Sequence, residues 1–138
     1  MRVVLDTNVL VSGLVSPGGT CRLVLDQVVT GGGCELIVDD RILCEYVRVL
    51  ARPDLRIEVE EARRILVHVQ ETAMHVEVEP MGISLPDPDD AGFLEVAIQA
   101  GAALVTGNRR HFPASACRGV LILSPREFLD RFEGPGDR

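Results

Sequence analysis

The chain has 138 residues, a length that fits one domain. Apolar residues make up 46 % and aromatic ones only 4 %, so the core must come from Val, Leu, Ile and Ala, as in a parallel sheet covered by helices. The formal net charge is −7 and all 14 basic residues are Arg, which argues against broad electrostatic capture of nucleic acid but leaves local phosphate contacts to the guanidinium fork.

In chain order, residues 2–5 read as a buried strand ending at Asp6-Thr7-Asn8. Asn8–Leu14 follows as a short apolar helix, then the turn Ser16-Pro17-Gly18-Gly19. Thr20 is placed to cap a helix over Cys21–Val29, with Leu23, Val24 and Val28 on its apolar face, and Gly31-Gly32-Gly33 stops it. Glu35–Val38 is a second strand, and Asp39 or Asp40 caps a helix running to about Leu50. Arg52-Pro53 ends that helix, because proline cannot continue one.

Glu58–Thr72 carries Ala62, Ile65, Leu66 and Val69 on one stripe and reads as a further helix. Met74–Val78 reads as a third strand, with His75 and Glu77 alternating against apolar residues as on a half-wetted edge. Leu85-Pro86-Asp87-Pro88-Asp89-Asp90 is a rigid acidic turn into the helix Ala91–Ala100, with Phe93, Leu94, Ala97 and Ile98 inward. Ala102–Val105 is strand four, Thr106–Ser115 a loop, Val120–Leu123 strand five and Pro125–Arg131 the last helix. Strands alternating with helices imply a three-layer α/β/α sandwich on a mainly parallel sheet. The domain is expected over residues 1–133, with 134–138 as a frayed tail.

No apolar stretch approaches the ~18 residues of a membrane span, and Asp6 and Asn8 interrupt the first apolar run where a signal peptide would continue. A cytoplasmic location is the default expectation. Cys21, Cys34, Cys44 and Cys117 never approach CxxC spacing and read as small buried hydrophobes.

In such a fold, strand ends and the starts of the following helices share one edge of the sheet. Asp6 follows strand one, Asn108 follows strand four, and Asp87, Asp89 and Asp90 open the helix before strand four. Glu45 lies about five residues into its helix, roughly 7–8 Å from the start at ~1.5 Å per residue. Carboxylates gathered from separate elements suit Mg²⁺ or Mn²⁺, which favour oxygen ligands and can activate water against a phosphodiester.

Each residue also has a plainer reading. Asp6 could cap the short helix, and the acids at 87, 89 and 90 could simply favour a helix dipole. Arg41, Glu45, Arg48 and Arg52 fall at i, i+4, i+7 and i+11, either a solvated stripe or one turned into a groove with Glu45 on metal and the arginines on phosphate. Arg109 and Arg110 are loop charge or phosphate contacts. His68 and His75 read as structural or surface residues, without a partner His at ligand spacing. His111 follows the Asn108 loop, where an ordinary loop residue is the plainer reading and a catalytic role the alternative, and Phe112 should anchor that loop in the core.

Val3-Val4-Leu5-Asp6-Thr7-Asn8-Val9-Leu10, Leu43-Cys44-Glu45-Tyr46, Asp87-Pro88-Asp89-Asp90-Ala91-Gly92-Phe93-Leu94 and Leu104-Val105-Thr106-Gly107-Asn108 together resemble, in order, the acidic motifs of PIN domains. That is the fold of many metal-dependent ribonucleases, including toxins of VapC-type toxin–antitoxin pairs. The resemblance spans nearly the whole chain. It implies Mg²⁺- or Mn²⁺-dependent hydrolysis of an RNA phosphodiester, with Asp6, Glu45 and Asp90 holding metal, directly or through water, and Asp87 next best placed. Asn108 would support a ligand water, with Thr7, Asn8 and Thr106 forming hydrogen bonds around it. It further implies a homodimer and an inhibitory antitoxin. The departure is Asn108, where the fuller pattern has Asp; on charge alone Asn108→Asp should tighten metal binding.

Other enzyme classes fit less well. A receiver domain relies on a lysine, which this chain lacks; phosphatases of the haloacid-dehalogenase type need Asp where Asn8 stands; and the P-loop motif is missing. The alternative outside catalysis is a PIN-fold module that binds RNA or protein with a weakened or inert site, favoured by Asn108 and opposed by Asp6, Glu45 and Asp90.

Overall fold

Five short strands and six helices alternate along the chain in a computed structural model that describes residues 1–30 and 33–132. In order they are β1 (Arg2–Leu5), α1 (Thr7–Val15), α2 (Thr20–Thr30), β2 (Glu35–Val38), α3 (Asp40–Leu50), α4 (Val59–Thr72), β3 (Met74–His75), α5 (Ala91–Ala100), β4 (Ala103–Val105), β5 (Ile122–Leu123) and α6 (Pro125–Phe132). Gly31 and Gly32 of the expected helix stop, and the expected tail 134–138, lie outside the described residues.

The sheet runs β3-β2-β1-β4-β5 with every pairing parallel. Parallel neighbours need crossover helices, and right-handed crossovers set the faces. The connections β1→β2 and β2→β3 step one way across the sheet, whereas β3→β4 steps back over β2 and β1. That reversal puts α5 on the face opposite α1 and α2: α5 packs on β1, β2 and β4, while α2 packs against α1 and α6. The three-layer expectation holds.

The central strands are apolar without interruption because both their faces are covered. Val3, Val4, Leu5, Ile37, Val38, Leu104 and Val105 are all fully buried, joined by Tyr46, Phe93, Phe112 and Phe128 as the largest core side chains. Gly13 lets α1 and α2 meet: a Cβ there would stand 2.4 Å from Leu25 Cδ1 and 3.1 Å from the Cys21 carbonyl oxygen.

Two strands are shorter than their sequence patterns. β3 stops at His75, which pairs with Val38, the last residue of β2; beyond it the partner chain is already entering α3, so residues 77–78 have no strand to join. β5 starts at Ile122, because the Val120 N–H turns back to the Cys117 carbonyl at 2.9 Å and Gly119 adopts φ of +83°. β3 is an edge strand as its alternation suggested. Thr20 proves to be the first residue of α2, and Cys44 is exposed while Cys34 and Cys117 are buried, so the buried-hydrophobe reading fails for Cys44.

Candidate metal centre

The strand order reverses at β1, and the carboxyl ends of β1 and β4 lie side by side there, the place where open α/β sheets present ligands. Asp6 leaves the end of β1 and Thr106 the end of β4. The Asp6 N–H continues the ladder to the Val105 carbonyl at 2.9 Å, so Asp6 is held by sheet hydrogen bonding before its side chain is considered. Asp6 occupies the N-cap position of α1, yet its side chain closes no capping hydrogen bond. Instead Thr106 Oγ1 donates to Asp6 Oδ2 at 2.7 Å. Asp6 thus stands at the N-cap of α1 with its carboxylate buried and held by Thr106.

Thr106 is 1 % exposed and its hydroxyl is used twice, accepting from the Asn108 N–H at 3.0 Å as well as donating to Asp6. Asn8 Oδ1 accepts from the Gly107 N–H at 3.2 Å, tying the start of α1 to the loop after β4. Thr7 donates to Glu45 Oε2 at 2.6 Å, which brings the acid of α3 to the end of β1. The next residue on that helix, Tyr46, donates from its buried hydroxyl to the Leu5 carbonyl at 2.6 Å. Asp39, not Asp40, caps α3, accepting from the Ile42 N–H at 2.9 Å.

The acidic turn divides its labour. Asp87 caps, accepting from the Asp89 N–H at 3.0 Å; Asp89 is exposed; Asp90 is 8 % exposed and points inward. Asp90 Oδ2 lies 2.9 Å from His111 Nδ1, inside ion-pair distance but without the alignment of a hydrogen bond, so this sealed oxygen has no aligned donor among the described residues. His111 Nε2 in turn sits 2.9 Å from Asn108 Nδ2. Asp87, Asp90 and His111 each offer a ligand atom within 4.8 Å of the others. Asp6 stands outside that tight group but bears electrostatically on Asp90, and Glu45 bears in turn on Asp6.

Charge crowding shows in the titration of these groups. Burial pushes the Asp90 carboxyl up to about 6, Asp6 and Asp87 add to the rise, and His111 offsets part of it. Burial also raises Asp6, with a smaller contribution from Glu45, against the hydrogen bond from Thr106 and the nearby N–H groups of Asn8 and Thr7. Several carboxylates that disfavour one another's ionisation, one with a sealed and unpaired oxygen, fit a site for a divalent cation, whose charge would reverse that repulsion.

Of the candidate phosphate-binding arginines, the structure commits two elsewhere. Arg41 binds Asp39 at 3.1 Å and Glu95 at 2.7 Å, and Arg109 pairs with Glu127 and the Ile122 carbonyl. Arg48 rests on Glu45 Oε1 at 3.3 Å with most of its side chain in solvent, and Arg110 is exposed. His75, at the end of the outermost strand β3, leans on the Gln70 carbonyl. Phe112 anchors the loop as expected, at 2 % exposure.

Two residues carry more than the sequence reading assigned. His111 contacts both Asp90 and Asn108; its signal was its place three residues after Asn108, just before a buried aromatic. Glu95 is 3 % exposed and binds Arg41 and the Met81 N–H; an acid inside the apolar run Phe93-Leu94-Glu95-Val96-Ala97 was the available sign.

The PIN-domain family model matches residues 2–110. Solved structures of similar fold include VapBC-1 from nontypeable Haemophilus influenzae, with TM-score 0.61, 13 % identity and coverage of 91 % of this chain and 99 % of that one. VapBC2 from Rickettsia felis, bound to a DNA fragment from its promoter, gives TM-score 0.60 at 13 % identity, covering 90 % and 98 %. FitAcB from Neisseria gonorrhoeae gives 0.56 at 17 %, with the same coverage. At these identities the likeness is one of fold. No curated protein matches the chain in sequence.

Proposed function

This chain belongs to the PIN-domain family, and we propose that it is a Mg²⁺- or Mn²⁺-dependent endoribonuclease, the toxin of a toxin–antitoxin pair. The observation that carries this reading is Asp90, a buried carboxylate with an unpaired oxygen beside Asp6 and Asp87. Asp6, Glu45 and Asp90 would hold the cation, directly or through water, with Asp87 alongside and Asn108 supporting a ligand water. When bound, the cation supplies the positive charge that binds a phosphate oxygen and acidifies water for attack on phosphorus.

The protein's own groups set the stage for that chemistry. Thr106 holds Asp6 and Thr7 holds Glu45, so both acids are oriented before any ligand arrives. Asn8 and Gly107 fix the loop that carries Asn108. Arg48 and Arg110 are left to meet the RNA backbone, as Arg41 and Arg109 are engaged within the fold. A single-stranded or looped region of RNA suits such an open sheet edge.

The likeness of fold to VapBC and FitAcB supports an antitoxin as protein partner, and the proposal further takes a homodimer in the cytoplasm as the working form. No helix among the described residues is long and apolar enough to cross a membrane. Asn108 favours the second reading, a catalytically weak PIN-fold binding module.

The deciding experiment is cleavage of a panel of structured RNAs with Mg²⁺ or Mn²⁺, comparing the protein with Asp6→Ala. Metal-dependent cleavage that disappears in the variant supports the nuclease. Absence of cleavage together with no Mn²⁺-dependent rise in melting temperature overturns it in favour of the binding module.

A further inference from the structure

Helix α3 buries Ile42, Tyr46 and Leu50, and α4 buries Ala62 and Val69, yet apolar residues continue beyond those inward stripes. Val47 is 45 % exposed, Val67 40 % and Val59 78 %. All three line one groove of about 590 Å³ between the two helices, which Leu50 and Leu66 also line. Valine is a poor choice for an open helix position, because its branched Cβ lowers helix propensity and its methyl groups gain nothing in water. Three such residues around one concavity are accounted for when another surface covers them. Val59 and Val67 stand at i and i+8 on α4, a span of ~12 Å, or about two turns of a docked helix.

The charge around this groove runs against that of the whole chain. Its charged lining residues are Arg52, Arg56 and Arg63, with no acid among them, in a chain of net charge −7. Arg52 shows what such a rim holds: its Nε and Nη2 donate to the two oxygens of Asp54, at 3.2 and 2.7 Å. Arg63 stands 3.6 Å from Glu60, whereas Arg56 makes no ion pair among the described residues. Arg56 is also held at a left-handed φ of +55°, where glycine would sit at less cost. Its long cationic side chain is kept at that position all the same.

We propose that this groove is a docking site for an acidic amphipathic helix of a partner protein, with the helix's apolar face on the three valines and its carboxylates on the arginine rim. A second copy of this chain fits less well, since a twofold contact sets the same three arginines against one another. RNA fits less well too, because no aromatic ring lines the groove for bases to stack on. The groove shares no lining residue with Asp87, Asp90 and His111, so the inference goes beyond the nuclease reading and does not depend on it.

The probes are two labelled helical peptides of ~18 residues, long enough to hold a helix, with leucines at every third or fourth position and flanks of Glu in one and Lys in the other. Fluorescence anisotropy reads their binding to the full chain. The Glu peptide should bind about tenfold or more tightly than the Lys peptide, and added salt should narrow the gap. Val59→Glu should weaken the Glu peptide about tenfold; Val59 opens α4, where an acid suits the helix dipole, so this variant keeps the fold. Arg56→Glu should close most of the gap between the two peptides. No binding of the Glu peptide at ~1 mM, equal binding of the two, or a gap unchanged in Arg56→Glu overturns the proposal. Sedimentation of the protein alone tests the second copy: a dimer that Val59→Glu dissociates gives the groove to that copy and overturns the partner helix. Displacement of the Glu peptide by a non-cleavable single-stranded RNA overturns it as well. An absence of RNA cleavage bears on the nuclease reading alone and leaves each of these outcomes as it stands.

Discussion

Asp90 shows what a buried carboxyl among other acids costs the fold that carries it. Its folded-state carboxyl is raised from 3.8 to about 6, chiefly by burial and then by Asp6 and Asp87. A raised acid binds its proton more tightly in the folded than in the unfolded chain, so its favourable contribution is present below about 3.8 and lost as pH rises through about 6. At pH 7.5 the metal-free protein therefore carries an ionised Asp90 at a disadvantage. Asp90→Asn should raise the melting temperature of the metal-free protein at pH 7.5 by about 2–5 °C, the scale of ~1 kcal/mol in a domain of this size. The gain should shrink toward pH 4, and Mn²⁺ should stabilise the protein but not the variant. Thermal melts at both pH values, with and without Mn²⁺, check this; an equal gain at both would show that titration of Asp90 is not its origin.

At the scale of elements, the acids depend on how α3 and α5 are pinned across the sheet edge. Arg41 on α3 reaches Glu95 on α5, and Glu95 also accepts from the Met81 N–H in the segment leading to the acidic turn. Glu95 is almost fully buried, so removing its partner strands a charge. Because Arg41 itself is half in solvent, solvent screening reduces the loss, and Arg41→Met should cost about 1–3 kcal/mol in urea unfolding. Glu95→Gln added to Arg41→Met should recover part of that loss, and additive losses would show that the pair does not couple. The short strands follow the same logic: β3 ends where α3 begins, a limit that the alternation of Met74–Val78 does not contain.

For the whole molecule, charge sets how the proposed RNA substrate would be held. A net −7 gives little general attraction for a polyanion, and Arg41 and Arg109 are engaged within the fold, which leaves Arg48 and Arg110 of the four candidate phosphate contacts. Binding of a non-cleavable single-stranded RNA should need divalent metal. Its log–log salt slope should be only about −1 to −2, the value for two or three phosphate contacts on a single strand. Fluorescence anisotropy across a salt series checks this, and metal-independent binding with a slope of about −4 or steeper would point to a basic surface beyond Arg48 and Arg110.

The order of strands and helices, the parallel three-layer plan and the acidic motifs were legible in the sequence, because apolar periodicity, capping residues and short motifs are local properties. Asp6, Glu45 and Asp90 could be singled out for the same reason: each stands at an element boundary or on a definable helix face. Partner choice is not local. Only the tertiary structure decided that Asp87 caps while Asp90 is buried, that Arg41 answers to a glutamate 54 residues away, and that Arg109 folds back on Glu127. Asn108 changed meaning most. In sequence it is a missing negative charge; in the fold its N–H donates to Thr106 at 3.0 Å and its side chain meets His111 Nε2 at 2.9 Å, contacts that only the fold of the loop after β4 brings together.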